Sequence, residues 1–237
     1  MNQRFACSWG KSPDLPGRFF SKLLGVAAVA ACSIMPIALG VQRGNHSAGD
    51  LLLDLLLSSA HEKIDVKAYP PGVQDELTQY LRRYQAYRSQ RVRPVLPGLH
   101  EGTDSMIYAA WLSYERRLAA ASPEAAAPAL AREYVDRLRP CYEWEGFHDC
   151  PEREAKFATD YQAANPQGPF SHYLPLLIAH RWLCTAEAYQ YEKQPEDARR
   201  SRQAYEEEIS IAKGSGSALV RFAASRLAER NTCHPRR

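Results

Sequence analysis

The sequence predicts an all-α domain of stacked antiparallel helical hairpins, about eight helices in all, stapled by disulfides. Three observations carry this expectation. Apolar residues recur at spacings of three and four between residues 48 and 230, and no stretch alternates with period two for long. Short clusters of Pro and Gly separate these runs, as in "YPPG" at 69–72, "NPQGP" at 165–169 and "GSGS" at 214–217. Short connections between amphipathic helices are what a stack of hairpins requires. Finally, an N-terminal targeting segment accounts for two of the six cysteines, leaving an even set of four.

That segment is read first, because the rest depends on it. Residues 1–22 carry Arg4, Lys11, Arg18 and Lys22 against the single acid Asp14, and "LLGVAAVAACSIMPIALGV" follows at 23–41 without a charge. A basic stretch ahead of an apolar core is the pattern of an export signal. Cleavage after Ala38-Leu39-Gly40 satisfies the small-residue rule. Retention as an anchor is the second form, since a helix of that length reaches about 28 Å at about 1.5 Å per residue. Lipidation at Cys32, within "VAAC", is the third. All three carry the bulk of the chain past the inner membrane. Residues 1–44 are therefore expected to be an export signal or membrane anchor, and residues 45–237 one helical domain. The protein is expected to be periplasmic or tethered to the inner membrane by residues 23–41, with no other membrane contact.

The chain's net charge is +3, but residues 44–237 hold 25 basic against 26 acidic residues. The positive excess belongs to the signal, which leaves no basic face for nucleic acid.

The elements follow in order. A leucine-rich helix is predicted over 48–66, ended by the two prolines of "YPPG". A second spans 73–91, with Leu77, Tyr80, Leu81, Tyr84 and Tyr87 on one face. The third, 104–121, turns Trp111, Tyr114 and Leu118 inward. Ser122-Pro123-Glu124 supplies a cap, a first-turn proline and an acid, so the fourth is predicted over 123–139. Pro151 opens a fifth, to Ala164. The last three are predicted over 171–193, 195–213 and 217–230, the final one with Leu219, Phe222, Ala223 and Leu227 inward.

Within this pattern, Trp182, Ala186, Tyr189 and Ala198 fall at the offsets of the first part of a tetratricopeptide repeat. The segment 179–212 thus resembles one such helical hairpin. Lys193 stands where that motif favours glycine, and Arg202 and Tyr205 where it favours an aromatic residue and then alanine. The resemblance implies helix–turn–helix geometry over about one repeat, whereas repeat arrays need about three.

The four downstream cysteines are Cys141, Cys150, Cys184 and Cys233, in a region expected to meet an oxidising compartment. Three pairings exist, and the short loop joining the first two favours Cys141–Cys150 with Cys184–Cys233. On loop entropy alone the two would stabilise by about 2.7 and about 4 kcal/mol. Trp144 and Phe147 are expected to pack beneath the first loop. Cys141, His148 and Cys150 lack zinc-ligand spacing, with no second CxxC or HxxxH nearby and only Asp149 or Glu145 available as a fourth ligand, and the cysteines lack the CxxC spacing of a redox pair. No metal or cofactor is expected. His172 and His180 lie about 12 Å apart along one helix, too far to share an ion.

No phosphate-binding glycine loop, G-x-S-x-G elbow or HExxH motif occurs. Glu206-Glu207-Glu208 reads as a helix surface. Glu143, Glu145 and Asp149 beside Trp144 support the alternative of an enzyme acting on glycans or cell wall. The favoured expectation is a non-catalytic scaffold or binding module for another envelope protein or peptide. Its candidate groove comprises Tyr80, Tyr84, Tyr87, Arg88, Tyr189, Arg202 and Tyr205, since Tyr and Arg anchor protein partners. The competing reading places those tyrosines in the seams between helices.

Overall fold

The computed structural model describes residues 47–58, 64–88, 105–138 and 144–234. The described residues are all-helical, with eight α-helices and no strand. These are α1 (Ala48–Leu57), α2 (Pro71–Arg88), α3 (Ser105–Ala121), α4 (Ala127–Leu138), α5 (Asp149–Ala164), α6 (Leu174–Tyr191), α7 (Pro195–Lys213) and α8 (Ala218–Arg230). Arg43–Arg237 forms one compact unit. No described helix is long and apolar enough to cross a membrane, and residues 1–44 lie outside the described residues.

Helices α2 and α3, α3 and α4, α5 and α6, α6 and α7, and α7 and α8 pack as sequence neighbours, most extensively α6 on α7 and α5 on α6. Helix α8 packs on α7 and also returns to α2 and α1, which closes the stack on itself. That return explains the leucines of α1. Leu52, Leu53, Leu55, Leu56 and Leu57 are all buried, with α8 and α3 both packed on the helix. Ser47 caps it, its Oγ accepting the Asp50 N–H at 3.2 Å. The far end of α1 is buried too, and its orphan carbonyls need donors. Tyr173 donates its hydroxyl to Leu56 O, and the Arg181 guanidinium reaches Leu57 O at 3.4 Å.

A second closing device lies at the start of α8. The Glu76 carboxylate of α2 accepts the Ser217 hydroxyl at 2.5 Å, the Ala218 N–H at 2.8 Å and the Leu219 N–H at 3.1 Å. An anion at a helix N-terminus satisfies orphan donors and meets the positive end of the helix dipole. Similarly, Arg83 donates from Nε to Ala120 O, in the last turn of α3, at 2.7 Å.

Several helix boundaries differ from the sequence expectation, α5 beginning at Asp149 rather than Pro151 and α6 ending at Tyr191 among them. α1 stops at Leu57, Val66–Ala68 forms a separate 3-10 turn, and residues 59–63 lie outside the described residues. α2 begins at Pro71, because a proline tolerates the first helical position, where no N–H is needed. α4 begins at Ala127, since the Ser122 hydroxyl accepts the Glu124 N–H at 3.2 Å and closes a local turn. α6 begins at Leu174, after a turn in which Tyr173 N–H bonds Phe170 O at 2.9 Å.

The Cys184–Cys233 disulfide is present and ties α6 to the segment after α8. Cys150 is also disulfide-bonded, while Cys141 lies outside the described residues.

Candidate functional site

The α6–α7 turn lies beside an open groove of the hairpin. α6 ends at Tyr191, and Lys193 adopts φ 61°, the left-handed conformation that a side chain disfavours. Pro195 then starts α7. This conformation at Lys193 is the physical reason why a glycine would suit the position. Above the turn, Gln190, Pro195, Ala198, Arg199, Arg202, Gln203 and Glu206 line an open groove of about 470 Å³. Arg199 pairs with Glu196, and Arg202 lies 4.9 Å over the Tyr205 ring while also reaching Asn231 and Glu206. The floor is apolar, and the rim offers guanidinium, amide and carboxylate groups.

The candidate groove residues divide among several places. Arg202 lines this groove. Tyr205 is buried beneath it, its phenol pushed up by burial. Tyr189 is buried as well and donates to Glu152 Oε2 at 3.1 Å. Burial and that carboxylate push its phenol up to about 12. Tyr80 sits in the core, stacked on Tyr84 with ring centroids 6.3 Å apart, and Tyr84 shares a hydrogen bond with Ser113 Oγ at 3.3 Å. Tyr87 borders a smaller pocket of about 280 Å³ with Leu112, Glu115, Arg116, Pro128 and Arg132. Arg88 closes α2, and its side chain lies outside the described residues.

The loop before α5 is held at several points. Gly146 takes φ 93°, allowing a tight turn in which Trp144 Nε1–H donates to Phe147 O at 2.7 Å. His148 donates its backbone N–H to Glu192 Oε1 at 2.9 Å, and its Nδ1 lies 2.7 Å from Glu192 Oε2. The imidazole stacks on Tyr189 at 4.2 Å. Desolvation pushes the Glu192 carboxyl up, but the His148 hydrogen bonds outweigh it and hold the group below its ordinary value. Trp144 and Phe147 do not pack beneath the loop. They are 36% and 47% exposed, because the Trp144 ring lies against His234 from the C-terminal segment, 5.1 Å away. Glu145 and Asp149 are exposed beside them, and Glu143 lies outside the described residues.

One cluster escaped the sequence reading. His180, Cys184 and Cys233 are buried with their donor atoms within 4.8 Å of one another. His180 and Cys184 are four residues apart on α6, a spacing that marks one helix face; pairing His180 with His172 hides it. The disulfide engages both sulfurs. His180 Nε2 lies 3.0 Å from Cys233 O, and Nδ1 lies 2.9 Å from Arg181 Nη1. Because the guanidinium can only donate, Nδ1 accepts and Nε2 carries the proton. Burial and the Arg181 charge hold this imidazole neutral, well below its ordinary pKa. The trio is a buried plug in which every ligand atom is already engaged. His172 is exposed.

No protein-family model matches the chain, and neither does any curated protein or solved structure.

Proposed function

We infer that the protein is an exported, non-catalytic helical scaffold whose α6–α7 groove receives an extended peptide segment of another envelope protein. The observation that carries this reading is the groove itself. Its apolar floor at Pro195 and Ala198 is flanked by Arg199, Arg202, Gln190, Gln203 and Glu206. Such a rim suits a backbone together with a carboxylate side chain: amides pair with peptide groups, and guanidinium binds carboxylate in two-pronged fashion. The basic segment and apolar run at residues 1–41 support export.

A photo-crosslinking residue placed at Gln203 in the protein produced in its own cells tests the reading. The expected result is one discrete adduct, lost when Arg199→Glu and Arg202→Glu reverse the rim charge. The same adduct from a photo-crosslinker at Asp160, on the exposed side of α5, would contradict it.

The second reading, an enzyme acting on glycans, rests on the His148–Glu192 pair beside exposed Trp144, Glu145 and Asp149. A carboxylate on Nδ1 is how a histidine base is oriented. Glu145→Ala, Asp149→Ala and His148→Ala would then abolish turnover of cell-wall fragments, and unchanged phenotypes in all three would end that reading.

A further inference from the structure

Two donor atoms of the buried His180–Cys184–Cys233 cluster already stand at metal-site spacing. Cys184 Sγ lies 3.8 Å from His180 Nδ1. Bonds of about 2.3 Å to sulfur and about 2.0 Å to nitrogen would set such a pair about 3.7 Å apart across a trigonal ion. Cys233 Sγ belongs to the same group, whose donor atoms all lie within 4.8 Å of one another. The bond between the two sulfurs is what keeps them from ligating.

We propose that reduction of the Cys184–Cys233 disulfide turns this cluster into a binding site for one Cu(I) ion, ligated by both sulfurs and by His180 Nδ1. The reductant is a dithiol. It passes two electrons and two protons to the Cys184–Cys233 bond by thiol–disulfide exchange and leaves as its own disulfide. Cu(I) then displaces the two thiol protons without changing its oxidation state. The surroundings favour this. His180 Nε2–H donates to Cys233 O at 3.0 Å, an outer-shell bond of the kind that fixes a ligand imidazole's tautomer and leaves the other nitrogen to the metal. Arg181 Nη1 holds that Nδ1 lone pair at 2.9 Å while the disulfide is closed, and retains Glu154 as a partner when it withdraws. Two thiolates with Cu(I) carry one negative charge, and Arg230 meets it. Its Nη2 donates to Cys233 O at 2.7 Å, and its Nη1 is buried without a hydrogen-bond partner. Cu(I) suits the shell better than Zn(II) does. The three donor residues are each at most 2% exposed, and Glu187 is committed to the Cys233 N–H at 3.0 Å. That leaves a soft three-coordinate set, whereas structural zinc takes four ligands.

The test uses the full chain with Cys7→Ser, Cys32→Ser, Cys141→Ser and Cys150→Ser, so that Cys184 and Cys233 are its remaining cysteines. Reduced with dithiothreitol without oxygen and then desalted, it should keep one Cu(I) per chain against the chelator bicinchoninate, and the oxidised form should keep none. X-ray absorption at the copper edge should show two sulfurs and one imidazole nitrogen. His180→Gln should weaken retention at least about tenfold, since losing even an outer-shell partner costs about 10–100-fold. Exposed His172→Gln should leave retention unchanged. If the serine replacements or His180→Gln prevent folding, the reduced wild-type chain with one equivalent of Cu(I) decides through the same imidazole signal. An all-sulfur shell, equal uptake by the oxidised form, or retention of zinc in preference to Cu(I) would overturn the proposal.

Discussion

Glu76 joins two helices through residues 141 positions apart, with three donors at the start of α8 converging on one carboxylate. Desolvation pushes this carboxyl up, but the hydrogen bonds from Ser217, Ala218 and Leu219, with the Arg221 charge, bring it below the ordinary value of 4.5. The folded pKa is the lower one, so its contribution is present above about pH 4.5 and is lost as pH falls through the folded value. Glu76→Ala should cost about 1–2 kcal/mol at pH 7 by chemical denaturation, and that difference should shrink below pH 4.5. His180 acts in a different window. Its folded pKa lies well below 6.5, so the unfolded chain binds the proton first and stability falls as pH drops below about 6.5. His180→Gln should lack that upper portion of the pH profile, while Glu76→Gln should lack only the lower one. Neither role is visible in sequence, because the partner of each lies on an element brought in by the closing of α8.

At the scale of elements, α7 runs over the range its sequence predicts, Pro195–Lys213. Trp182, Ala186, Tyr189 and Ala198 share hairpin spacing, and Pro195 marks the start of α7. The turn also carries a cost, because Lys193 sits in a left-handed conformation. Lys193→Gly should leave stability unchanged or raise it by up to about 1 kcal/mol, the relief of the side-chain clash offset by chain entropy. Lys193→Val should lower it by about 1–2 kcal/mol, measured by the denaturation midpoint. Among the elements whose bounds differ from the sequence expectation, α1 and α4 carry ambiguous signals. The Ser122-Pro123-Glu124 cap pattern serves equally well for a turn, and only the packing of α4 on α3 decides between them. The loop at 144–148 shows a related limit. Trp144 and Phe147 are apolar yet exposed, and the contacts of Trp144 with His234 and of His148 with Glu192 join segments that no local pattern brings together.

At the scale of the molecule, the helical class and the sequence of eight helices follow from apolar periodicity and proline punctuation. The closure of α8 on α1 and α2 does not, because periodicity identifies an inward face without naming what covers it. The same limit explains the tyrosines. Tyr80 and Tyr189 carry the residue type of a binding surface, yet each lies under a neighbouring helix. The Cys184–Cys233 bond pins this closure from the opposite side to Glu76. Removing it through Cys184→Ser with Cys233→Ser should cost up to about 4 kcal/mol on loop entropy, and should loosen α8 before α3 and α4 in hydrogen exchange.

Export, oxidation and helical closure meet in one measurement: the intact mass of the protein recovered from separated cell fractions, alkylated with and without prior reduction. An exported, stapled scaffold should appear in the envelope fraction and gain four alkyl groups downstream of residue 44 only after reduction. Recovery from the cytosol with Cys184 and Cys233 alkylated in the absence of reductant would contradict the proposed compartment and the stapled closure together.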